Sequence, residues 1–83
     1  MKQLHFEHKT QLLHFLLEQD FFAVQFCQDL EDTPVYRLLR SGDVASPDCL
    51  GGKILRITDY ETSEILERVL LGEALLFPNQ FKL

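Results

Sequence analysis

A chain of 83 residues predicts a single domain over 1–83, and so small a domain buries only somewhat over half of the surface its unfolded chain exposes. The apolar content of 46%, with seven Phe, excludes a disordered chain and supplies one core. The net charge of −5 argues against a chain whose main work is to hold a phosphate backbone, because that affinity comes largely from Lys and Arg displacing counterions.

The opening "MKQLHFEHKT" has one early Lys, then polar residues, and lacks the apolar run of a signal peptide. The apolar stretches "LLHFLL" and "ALLF" are too short to span a bilayer. Both point to a cytoplasmic chain with no membrane partner. Two cysteines, Cys27 and Cys49, are fewer than a disulfide-built mini-domain carries, so reduced thiols are expected.

"KQLHF" has room for a short first strand. From about residue 8 to 20, Leu12, Leu13, Phe15, Leu16 and Leu17 recur on a wide arc with His14 and Glu18 opposite, which predicts a helix on a core. "FFAVQFCQDL" is rich in β-favouring residues and reads as a strand. "EDTP" carries turn chemistry and "VYRLLRSG" a second strand, so the two should form an antiparallel hairpin. With Asp32 and Thr33 as the turn, Phe26 pairs with Leu39 and Gln28 with Arg37. Val24, Phe26, Leu30, Val35 and Leu39 then share one face, and Gln25, Cys27, Tyr36 and Arg40 the other.

"DVASPDCLGGK", residues 43 to 53, ends in a Gly-Gly-Lys that invites comparison with a phosphate loop. Such a loop needs an earlier Gly where Pro47 stands, a hydroxyl where Ile54 stands, and a helix after the Lys. "KILRITD" reads instead as a third strand, so the stretch is a connection. "TDYETSEILERVLLG" opens with Thr58 and Glu61 at capping-box spacing, buries Ile65, Leu66, Val69 and Leu70, and stops at Gly72. The tail "EALLFPNQFKL" is apolar enough to dock as a last strand or arm, with Pro78 interrupting it.

The expected fold is α+β: a small three- to four-stranded antiparallel sheet with two helices packed on one face, in the order α-β-β-β-α with an extra terminal strand. In element order alone this resembles the double-stranded RNA-binding domains. Asp59, Glu61 and Glu64 replace the basic cluster that such a domain presents at its second helix, so no residue role or function carries over.

His5, His8 and His14 with Cys27 and Cys49 offer ligand types for zinc without the two tightly spaced pairs of a structural site, so no metal and no cofactor are expected. No nucleophile with a base and no acid–base pair in a pocket is legible either, which points away from an enzyme. Arg37, Arg40, Lys53 and Arg56 could hold a nucleic acid only from one surface. The expected pairing puts Arg37 and Arg40 on opposite faces, so no direct nucleic-acid contact is expected.

Charge remains. Asp59, Glu61, Glu64 and Glu67 follow the exposed side of the second helix, and Asp29, Glu31 and Asp32 cluster at the hairpin turn. They suit a solvated helix face, and equally an acidic surface for a basic protein partner. Tyr36 beside Arg40 on an exposed sheet face would add a contact of the kind enriched at interfaces. The expectation is a small acidic, non-enzymatic protein-interaction module. Its sharper form is an inhibitor that occupies a nucleic-acid-binding surface, as phage and mobile-element anti-defence proteins do. The alternative is a self-associating structural subunit, a homodimer or part of a larger assembly, built through the apolar tail and an open sheet edge.

Overall fold

A computed structural model describes residues 5–27, 32–43 and 53–78. They form α1 (Lys9–Glu18), β1 (Phe21–Cys27), β2 (Val35–Arg40), β3 (Ile54–Arg56), α2 (Tyr60–Leu70) and β4 (Leu75–Pro78). The class is α+β, as the residue pattern predicts. His5 and Phe6 join no strand, and the remainder of the expected first strand, like most of "DVASPDCLGGK", lies outside the described residues.

The sheet order is β3-β1-β2-β4. β1 pairs antiparallel with β2 and with β3, whereas β4 runs parallel to β2, with Val35 beside Leu75 and Tyr36 beside Leu76. The sheet is therefore mixed, which corrects the wholly antiparallel expectation. The reason is the position of α2: it carries the chain from edge strand β3 across to the other edge, so β4 enters beside β2 in the same direction.

The hairpin register also differs from the expected one. Phe26 faces Tyr36 and Cys27 faces Val35, so the connection between β1 and β2 is longer than a two-residue turn at Asp32 and Thr33. The shift is odd in residues and moves one strand's faces over. Val24, Phe26, Tyr36, Leu38, Leu55 and Leu76 now point to the helices, and Val35 and Leu39 point away. Leu30, also assigned to the first face, lies outside the described residues.

Both helices cover the same face. Leu12 and Leu16 of α1 and Ile65 and Leu66 of α2 close over Phe21, Val24, Tyr36 and Leu38, with Ile57 and Ala74 completing the core. The opposite face is buried too: Ala23, Gln25, Cys27, Val35 and Leu39 each have 3% or less of their surface exposed. Gln25 is the polar member of that set, and its Oε1 is buried without a hydrogen-bond partner. Cys27 is disulfide-bonded, against the expectation of reduced thiols; the other cysteine of the chain, Cys49, lies outside the described residues. A buried cysteine at a strand end is well placed for such a bridge, which a count of cysteines does not reveal.

Local chemistry sets the ends of the elements. The Gln11 side chain accepts the backbone N–H groups of Glu7 (3.0 Å) and His8 (3.3 Å), fixing the entry to α1. Asp20, at φ 66°, turns the chain from α1 into β1. An irregularity between Phe21 and Ala23 leaves Phe22 as a bulge residue, exposed, whose carbonyl accepts the Ile57 N–H at 2.7 Å. α2 begins one residue later than the Thr58 cap predicts, with Asp59 as N-cap. The Asp59 carboxylate turns back to accept the Arg56 N–H (3.2 Å), and the buried Thr62 hydroxyl donates to the Arg56 carbonyl (2.6 Å). Gly72, at φ 79°, ends the helix: Glu73 N–H reaches the Arg68 carbonyl and Gly72 N–H the Val69 carbonyl, the Schellman pair.

Candidate interaction surface

The buried side of α2 holds Thr62, Ile65 and Leu66, which leaves Glu61, Glu64 and Glu67 exposed on the other side. Within that exposed side, Tyr60, Glu64, Glu67 and Leu71 fall at intervals of four, three and four residues, so they line up along the helix. Tyr60 is 79% exposed and Leu71 67%. Two carboxylates are thus framed by a large apolar side chain at each end. The acidic row was legible from the spacing of Glu61, Glu64 and Glu67, but its apolar ends were not. Tyr60 belongs to the first turn and Leu71 follows the last, where helical periodicity alone does not say which side chains stay uncovered.

Each end of the stripe opens on a groove. At the N-terminal end, Phe26, Tyr36, Leu55 and Ile65 form the floor of a groove of about 370 Å³, with Tyr60, Glu61 and Glu64 at its sides. The Phe26 and Tyr36 rings are tilted against each other, with centroids 5.4 Å apart. The other groove lies between the start of α1 and the end of α2, where His8 and Lys9 face Glu67 and Leu71.

Two of the carboxylates have basic neighbours. Lys53 Nζ lies 3.1 Å from Glu61 and Lys9 Nζ 3.6 Å from Glu67, all four side chains being well exposed. Such solvent-screened pairs contribute about 0–1 kcal/mol, so exchanging one for a partner's cation costs little. Asp59 is occupied at the helix start, and Glu64 makes no ion pair among the described residues.

The remaining candidates fall elsewhere. Asp32 is exposed in the β1–β2 connection, while Asp29 and Glu31 lie outside the described residues. Tyr36 is 9% exposed and belongs to the core face, not to an exposed sheet face; the register shift put it there. Arg40 lies at the far end of β2. Its guanidinium lies over the Phe21 ring, 4.1 Å from the centroid, and its Nε donates to the Gln19 carbonyl at 2.8 Å. The four basic residues do not share one surface: by strand alternation Arg37 and Arg56 sit on the sheet face away from the helices, Arg40 is fastened beneath α1, and Lys53 meets Glu61. Lys53 leads into β3, the strand that separates it from a phosphate loop.

Among the described residues, no group of three or more His, Cys, Asp or Glu is arranged to hold a metal ion, and no helix is long and apolar enough to cross a membrane. No protein-family model matches the chain, and no curated protein or solved structure is significantly similar to it.

Proposed function

We propose that this chain is a non-enzymatic interaction module that docks the exposed stripe of α2 on a basic surface of another protein. The observation that carries the reading is the alignment of Glu64 and Glu67 between Tyr60 and Leu71. A solvated helix face needs carboxylates but has no use for large apolar side chains at both ends. Interfaces combine the two, with apolar anchors giving affinity and charge giving steering and register. In the sharper form of the proposal the basic surface is one that otherwise holds nucleic acid, and the module acts as an inhibitor in the manner of phage and mobile-element proteins. The acidic composition and small size support that form.

The test is a pull-down from host lysate at low and moderate salt, run in parallel with a variant carrying Asp59→Asn, Glu61→Gln, Glu64→Gln and Glu67→Gln. Expected is a discrete host protein that is lost from the variant, lost as salt rises, and competed by added DNA or RNA. Equal capture by both chains at both salts would rule the reading out.

A second reading, self-association, is favoured by β4, which has β2 as its partner strand and ends in the sequence Phe77-Pro78 with Phe77 45% exposed. Among the described residues β4 is an edge strand, and an edge with an exposed aromatic can pair with a second copy. A native mass that rises with concentration, and falls back with Phe77→Glu, would favour this reading over the first.

A further inference from the structure

The groove at the start of α2 has two chemistries that a single occupant must satisfy. Its floor is apolar and aromatic, from Phe26, Tyr36 and Leu55, while Glu64 at its side has no ion pair among the described residues and Tyr60 stands almost fully exposed beside it. A purely apolar side chain would cover the floor and leave Glu64 unmet, and a small cation would meet Glu64 and leave the floor wet. Resting on the reading of α2 as the docking face, we infer that this groove seats an arginine side chain of the protein partner. The methylene stem covers Phe26 and Leu55, and the guanidinium meets the Glu64 carboxylate and the ring of Tyr60. Arginine fits better than lysine because its flat, weakly hydrated head can stack on a ring and offer a carboxylate two parallel N–H groups. Lys53 at Glu61 shows that a cation from the chain itself already settles at this rim, on the carboxylate next to the one left open.

The test uses the intact chain, labelled with nitrogen-15, and three capped tripeptides: Gly-Arg-Gly, Gly-Lys-Gly and Gly-citrulline-Gly. Citrulline keeps the shape of arginine without the charge. Expected are amide shifts centred on Phe26, Leu55, Tyr60 and Glu64 with the arginine peptide, weaker with lysine and weakest with citrulline. Tyr60→Ala and Glu64→Gln, both at exposed positions, should each weaken binding about threefold. Shifts spread along Glu61 to Glu67, equal for arginine and lysine and unmoved by Tyr60→Ala, would overturn the inference while leaving the charged docking face standing. No shift with any cationic peptide, hexa-arginine included, would overturn both.

Discussion

Arg40 illustrates how one side chain can look available in a sequence and be committed in the fold. Its Nε–H satisfies the Gln19 carbonyl at the end of α1, its charge suits the negative pole of that helix, and its flat face covers Phe21. Arg40→Ala should therefore lower stability by about 1–2 kcal/mol, read as a lower urea midpoint at unchanged slope. Arg40→Lys should recover only part of the loss, because an ammonium cannot reproduce the planar stack. A midpoint unmoved by Arg40→Ala would return the residue to the list of free surface groups. Thr62 makes the complementary case inside the core. It is fully buried, and its hydroxyl reaches the Arg56 carbonyl at 2.6 Å, tying β3 to the first turn of α2. Thr62→Val keeps the volume and leaves that carbonyl with the Asp59 N–H (3.0 Å) as its remaining donor, at a cost of about 0.5–1.5 kcal/mol. Thr62→Ser keeps the bond and removes one methyl, about 0.8 kcal/mol. The two substitutions should therefore cost similar amounts in equilibrium unfolding, and a valine variant as stable as the original would mean that packing, not the hydrogen bond, holds the junction.

At the scale of elements, the ends were more legible than the pairings. Gly72 marks the stop of α2 in the sequence and sits there in the fold, at φ 79°, with nothing within 4 Å of an added Cβ. Gly72→Ala should cost about 1 kcal/mol through backbone strain alone. D-alanine at the same position, which is at ease at positive φ, should restore or exceed the original thermal midpoint; a loss with both enantiomers would point to a clash. The α1 stripe and the α2 stripe were legible for the same reason as Gly72, since helical spacing and termination are local. Register was not. β1 and β2 are buried on both faces, with Ala23, Gln25 and Cys27 as hidden as Val24 and Leu38, so polar and apolar residues do not alternate and the pattern that pins a register is missing. Tyr36 was misplaced by that loss of signal, and its exposure with it. The parallel placement of β4 was invisible for a different reason: Leu75–Pro78 reads as a generic apolar end, and its direction is dictated by where α2 delivers it. The candidate surface shows the same division. Its carboxylates follow from local spacing, whereas its aromatic floor depends on which residues of β1 and β2 face α2.

For the molecule as a whole, the disulfide at Cys27 carries the largest single consequence. A domain of this size has a stability of about 5–15 kcal/mol at most, and one bridge contributes about 2–4 kcal/mol, chiefly by restricting the unfolded chain. Cys27 is fully buried at the end of β1, beside Val35 and on the face away from both helices. Opening the bridge therefore leaves the α2 stripe in place while removing a large part of the margin. A phosphine reductant should lower the urea midpoint, and the same reductant should leave the Cys27→Ala midpoint where that variant begins. Docking at temperatures well below the transition should be the same with and without reductant, since Cys27 points to the sheet face opposite the one that carries α2. The thiol state also bears on compartment. Disulfides persist in oxidising surroundings, whereas a reducing cytoplasm would keep Cys27 reduced. Trapping the thiols with an alkylating reagent at the moment of cell lysis, and weighing the intact chain, separates these cases: an unmodified Cys27 places the working protein in an oxidising space with its full margin. An alkylated one means that the chain works in the reduced state, with the sheet less firmly held.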